Sequence, residues 1–223
     1  MNITLITDAT PSLVPVQVSD CAQYLRLESA AETADANQIQ LMISAARLEA
    51  ENEQARELSQ KQWTLALDRF PVGGYYNLTT PFTGNDGGYR ELSFRMGHNF
   101  IELLDPLISV TSFTYKDYTG TVNTMTPNVD YIVDTMKHPG IVCPAYGTQW
   151  PTATLWPSSA VQITFEAGFV PSTNPCPWTV RQGILLLVSQ WYEGRIPFEA
   201  IRFAAELPFS VTSLFRAGKL WRF

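Results

Sequence analysis

The chain has 223 residues, 45% of them hydrophobic and only 16% charged. That is enough apolar material for the core of one ordinary domain, or one domain carrying an insertion, and too little charge for a disordered, solvating chain. The net charge of −6 disfavours a specific nucleic-acid binder, because such domains are usually basic.

No basic targeting stretch is seen, and the longest apolar run, residues 184–188, is far too short to cross a bilayer. With nothing pointing to export, the three cysteines are expected as reduced thiols. Charge is unevenly spread. Residues 1–57 hold nine acids and three bases, whereas residues 195–223 hold two acids and five bases. Two solvated faces, a self-complementary subunit, or a basic tail seeking an acidic partner would each give this pattern.

In chain order, Ser19 before "DCAQYL" offers a capping oxygen with Asp20 in the first turn, so a short helix is expected there. A longer helix is expected from about Asp35. Ile39, Ile43, Ala46 and Ala50 recur at helical spacing, while Glu49, Glu51, Glu53, Arg56 and Glu57 take the other faces. The period then changes to two. "WTLALDRF" sets Trp63, Leu65 and Leu67 against Thr64, Ala66 and Asp68, as a half-buried strand requires. "FTGNDGGYR" reads as a hairpin turn, since its positive-φ positions favour Asn, Asp and Gly. Further strands are expected in "ISVTSFTYKDYTGTV" (with a turn near Gly120), "DYIVD", "GIVCPAY" and "AVQITFEAGF". Helical spacing returns after Pro177, expected in a first helical turn, with Val180, Ile184, Leu187, Val188 and Trp191 on one stripe. Pro197 breaks that helix, "FEAIRFAAEL" starts another, and Pro208 breaks it in turn.

The fold class that follows is α+β: a helical core formed by N- and C-terminal segments, with an inserted antiparallel β-sheet or sandwich block. The expected divisions are 1–62 for the first helical part, 63–170 for the β-rich insertion, and 171–223 for the second helical part with a docking tail. Ile184, Leu187, Val188 and Trp191 are expected to pack on the Ile39/Ile43 face of the long helix.

Catalytic chemistry finds little support in the residues. His138 and Cys143 are separated by the turn dipeptide Pro139-Gly140 and a strand, so a surface histidine and a buried, inert cysteine are expected. The two histidines and three cysteines form no metal-ligand spacing, and Gly88 is followed by neither the lysine nor the hydroxyl of a phosphate loop. Asp68, Asp117, Asp130, Asp134 and Glu166 sit beside turns or on polar strand faces and read as solvated rather than as a glycosidase pair. No catalytic, cofactor-binding or metal-ligating residue is therefore assigned.

"YLRLE" (24–28), "WTLALDRFP" (63–71), "LISVTSFTYKD" (107–117), "AYGTQWP" (145–151), "FEAGF" (165–169), "ILLLVSQWYEGR" (184–195) and "ELPFSV" (206–211) occur in an order that resembles the head–tail connector (adaptor) proteins of long-tailed bacteriophages and prophages. Residues 72–100 depart from that pattern. The resemblance implies a structural, non-enzymatic protein of the virion neck, assembled in the host cytoplasm as a ring, typically dodecameric. The implied partners are the portal protein, further copies of the chain and a tail-completion or stopper protein, with double-stranded DNA in transient, non-specific passage and no membrane.

Two groups of residues are candidates for contact surfaces. Leu214, Phe215, Arg216, Lys219, Leu220, Trp221, Arg222 and Phe223 combine aromatics and bases, residue types suited to docking on the portal or a neighbouring subunit, unless the segment folds back on its own core. Glu49, Glu51, Glu53 and Glu57 are candidates for the lumen or a subunit interface, with bulk solvent the bland alternative. Two readings compete with the connector. One is a carbohydrate-binding or tail-fibre-like β-module using Trp63, Trp150, Trp156 and the tyrosines as stacking surfaces; the other is a hydrolase using Cys143 or the acids.

Overall fold

The computed structural model describes residues 2–8, 14–71, 76–83, 89–96, 99–194 and 209–220, with backbone alone at 29–33, 76–83, 89–96 and 209. Its α+β chain divides into two compact units, 1–8 with 60–168, and 9–59 with 169–223.

The first unit is built on a five-stranded antiparallel sheet. Its strands are β1 (Asn2–Thr7), β2 (Lys61–Leu67), β6 (Leu107–Lys116), β7 (Val122–Thr124) and β10 (Val161–Ala167), in the order β1-β2-β10-β6-β7. Period-two patterning explains how the central strands sit. Trp63, Leu65 and Leu67 of β2 and Val161, Ile163 and Phe165 of β10 are buried, and their register brings Leu65 opposite Ile163 and Trp63 opposite Phe165. On the other face Thr64 lies opposite Thr164, with hydroxyl oxygens 3.2 Å apart.

A three-stranded sheet pairs β5 (Ile101–Glu102), β9 (Ile141–Pro144) and β8 (Tyr131–Asp134) in the order β5-β9-β8. It shares one core with the larger sheet: Ile101, Tyr131 and Val142 pack into the cluster that holds Leu65, Phe113 and Phe165. The remaining pair, β3 (Tyr76–Thr83) and β4 (Tyr89–Met96), runs antiparallel from Thr83↔Tyr89 to Tyr76↔Met96. The expected hairpin turn between them lies outside the described residues.

The expectation that 1–62 supplies only helix is corrected at its start. Residues 2–7 are an edge strand of the sheet, with Ile3 opposite Leu65 and Ile3 buried. This strand has one fully buried side chain, so its identity comes from pairing with β2, nearly sixty residues away, rather than from its own pattern.

The second unit is helical among its described residues: α1 (Val18–Leu25), α2 (Ser29–Gln54), α3 (Trp178–Glu193) and α4 (Phe209–Arg216). Helix α1 starts one residue before Ser19. Gln17 is its cap, and the Gln17 backbone N–H donates to Asp20 Oδ2 at 2.9 Å, one half of a capping box. Helix α2 begins six residues before Asp35 and stops at Ala55, whose φ of 55° is left-handed and reverses the chain. Pro177 takes the cap of α3 rather than its first turn. Ile39 and Ile43 of α2 share a core with Val180, Ile184, Leu187 and Val188 of α3, while Trp191 is only partly buried at its margin. The helix expected in "FEAIRFAAEL" lies outside the described residues.

Helix α4 closes this core through Phe215, whose side chain is 0% exposed. Gly183 of α3 makes the room: a Cβ there would stand 2.5 Å from Phe215 Cε1. The glycine weakens the helix intrinsically by about 1 kcal/mol, and here it is the condition for close approach of a phenyl ring.

Candidate functional site

The two groups of candidate surface residues meet at one end of α2. Glu53 Oε1 accepts from Arg216 Nε at 2.7 Å and lies 3.9 Å from Lys219 Nζ. Gln54 Nε2 donates to the Phe215 carbonyl at 2.8 Å, and the Leu220 N–H donates to the Gln54 carbonyl at 3.1 Å. The uneven charge of the sequence is thus used, in part, within the chain.

This geometry corrects several expectations. Phe215 is a core residue and no docking aromatic, and residues 214–220 fold back along α2 instead of reaching outward. Leu214 and Leu220 are partly buried, while Arg216 is exposed apart from its pairing with Glu53. Trp221, Arg222 and Phe223 lie outside the described residues. Among the acids, Glu49 is exposed and Glu53 is paired, but Glu51 and Glu57 are both 0% exposed. Glu51 Oε1 accepts the Leu58 N–H at 3.1 Å, supplying a partner to backbone just beyond the helix end. Glu51 and Glu57 therefore cannot line a solvent-facing surface of this chain. The spacing of Val211 and Phe215 at i, i+4 was the available sequence signal for the fold-back, but it needed Gly183 opposite to become meaningful.

The fold is similar to that of a chain in the neck of a gene transfer agent particle. The likeness covers 100% of this chain and 97% of the other, with a TM-score of 0.70 at 21% identity, in the neck of an empty particle computed with C6 symmetry. A chain in the virion of the native particle matches over the same shares with a TM-score of 0.66 at 21% identity. A third, in the neck of the native particle computed with C12 symmetry, gives 0.62 at 22%. No family model and no curated protein matches the chain. At these identities the likeness to the neck chains is one of fold.

In the first unit, where that likeness includes the β-insertion, the carboxylates singled out from the sequence hold turns together. Asp117 Oδ1 accepts from the Thr119 hydroxyl and from the N–H groups of Thr119 and Thr121, which holds its carboxyl below the ordinary range, the Thr119 hydroxyl contributing most. Asp130 accepts the Thr126 N–H, Asp134 the Met136 N–H and Asp68 the Ser159 N–H, while Glu166 accepts from Gln60 Nε2. His138 turns its Nδ1 to the buried Asp105, 2.6 Å away, tying the β8–β9 connection to the chain before β6. Among the described residues no group of three His, Cys, Asp or Glu is arranged to hold a metal, and no helix is long and apolar enough to cross a membrane.

The cysteines differ from one another. Burial pushes the Cys21 thiol up to about 12, with Asp20 adding to the effect. Burial does the same to Cys176, also to about 12, with Glu51 raising it and Arg181 opposing. Cys143, expected buried, is only half-buried. Thiol titration of the native protein near pH 8 should therefore modify one cysteine readily, with Cys21 and Cys176 reacting only on unfolding. Folding holds both protons more tightly than the ordinary value of 9.0, so this contribution to stability is complete below pH 9 and is lost as pH rises toward 12. Equal reactivity of all three native thiols would contradict the burial.

The unit also carries a cleft of ≈ 750 Å³, bounded by the loop after β2 and the segment before β10. Phe70 and Trp150 form one wall, their rings stacked 5.3 Å apart at 12°. Trp63 and Trp150 are both buried in the core, so of the three tryptophans that the competing β-module reading would use for stacking, Trp156 alone is exposed, at 42%.

Proposed function

We propose that the chain is a structural head–tail connector (adaptor) of a phage-like particle, a ring subunit that sits below the portal and offers an attachment site to tail-completion proteins. The observation that carries this reading is the likeness in fold to gene transfer agent neck chains over essentially the whole of both chains. The order of sequence motifs supports it from a separate direction, because it rests on side chains and the fold comparison on backbone.

The C6 and C12 symmetry of the neck structures supports a cyclic assembly of six or twelve copies. Cyclic rings of this kind use two different surfaces of each subunit, one meeting the other on the next copy. Exposed Glu49 and Arg216 remain candidates for such contacts, whereas Glu51, Glu57 and Phe215 do not. The partners on this reading are the portal, further copies and a stopper protein, with double-stranded DNA passing through unheld. The role requires no reaction, and its place is the virion neck, reached from the host cytoplasm. An autonomous carbohydrate-binding module is disfavoured as the role of the whole chain, since Trp63 and Trp150 serve the core.

Light scattering and electron microscopy of the purified protein, alone and mixed with its portal, test the reading. Rings of six or twelve copies, formed freely or on the portal, are expected. A chain that stays monomeric and never joins portal-bearing particles would overturn it.

A further inference from the structure

The cleft of the β-unit has features that a neck subunit does not require. We propose that it binds a neutral oligosaccharide built of flat, equatorially substituted pyranose rings, with Trp156 as the stacking surface. This inference does not depend on ring assembly.

Size and charge come first. At ≈ 750 Å³ the cleft lies within the roughly 300–1,000 Å³ of small-ligand sites and has room for a short oligosaccharide. Among the described residues its lining holds one carboxylate, Asp68, and one guanidinium, Arg69, adjacent in the chain and opposite in sign. A phosphorylated or polyanionic ligand would call for clustered cations, and among the described residues the lining supplies none beyond Arg69. A neutral ligand fits this balance.

The aromatic surface is preorganised. The Trp156 backbone N–H donates to the Lys116 carbonyl at 3.0 Å, and the neighbouring Leu155 bridges to Asp117. The Tyr118 N–H donates to the Thr154 carbonyl at 3.1 Å, so residues 154–156 are strapped to the β6–β7 turn. Gly120, at φ +87°, packs against the indole, where a Cβ would stand 3.6 Å from Trp156 Cζ3. The ring is thus supported from one side and presented on the other, and a ligand need not order it on binding. Pyranoses with equatorial hydroxyls carry an apolar C–H face that stacks on an indole, leaving their hydroxyls at the edge.

Those hydroxyls need groups that both donate and accept. Asn99 and Gln149, exposed in the lining, each carry an amide N–H₂ and a carbonyl oxygen, the combination that answers a hydroxyl in either direction. A proline-rich peptide would also use the aromatic wall, but its backbone presents acceptors with few donors, so paired amides suit it less.

The full chain, titrated with cellohexaose and with chitohexaose, decides the matter through the tryptophan indole N–H resonances, Trp156 being assigned from the Trp156→Phe spectrum. Saturable displacement of the Trp156 signal by at least one of the two sugars is expected. Trp156→Ala should weaken that binding by at least about tenfold, and Asn99→Ala with Gln149→Ala by about tenfold together. Circular dichroism checks that each variant is folded, and the exposed rim pair keeps the test valid if Trp156→Ala disturbs the strap. No displacement by either sugar, undiminished binding by the rim double variant, or displacement by a proline-rich peptide alone would each overturn the proposal.

Discussion

Phe215→Ala should destabilise the isolated chain by about 3–5 kcal/mol in urea denaturation, the usual cost of truncating a fully buried phenylalanine. The ring is 0% exposed and sits in the helical core over Gly183, where α3 has no side chain to fall into the space left behind. Its own backbone carbonyl accepts from the buried Gln54 side chain at 2.8 Å, so the surroundings are pinned and collapse only partly. A docking aromatic behaves in the opposite way. Its removal leaves the monomer's midpoint untouched and shows only in assembly, and that result would return Phe215 to the interface.

Glu51→Ala is expected to cost about 1–3 kcal/mol, because it leaves the buried Leu58 N–H without its acceptor. Glu51 is 0% exposed, its Oε1 accepts the Leu58 N–H at 3.1 Å, and Arg47 and Glu57 are buried in the same unit. Arg47 Nη1 in turn donates to Ser59 Oγ at 2.8 Å, so the residues following α2 are held by side chains of the helix itself. Glu49→Ala, two residues away on the exposed face, should leave the midpoint within about 0.5 kcal/mol of the parent. Equal, small effects at both positions would mean that Glu51 faces solvent and that the burial is wrong.

The sequence by itself determined the elements whose patterns repeat over enough residues to be self-evident. Strands β2 and β10 alternate without a break, and the bury-and-expose sequence of their side chains follows that alternation. Ile39, Ile43, Ala46 and Ala50 in α2 recur at helical spacing and are all buried, as are four of the five residues on the stripe of α3. Alternation needs only the pleat, and helical recurrence only the 3.6-residue turn, so both are local properties that a linear reading recovers.

What only the tertiary structure decided depends on residues far apart in the chain. Strand β1 exists because β2 offers it a ladder, and Ile3 alone could not have declared it. Glutamates on one charged helix look alike in the sequence, yet Glu49 meets water, Glu53 meets Arg216, and Glu51 turns back to Leu58. The fate of Phe215 was set by the absence of a side chain at Gly183, and that of Trp63 and Trp150 by the core cluster that residues of both sheets build together. Composition counts charges and rings, but whether each is exposed is fixed by what the rest of the chain brings against it. For that reason the core patterning was legible in advance, while the surface of this protein was not.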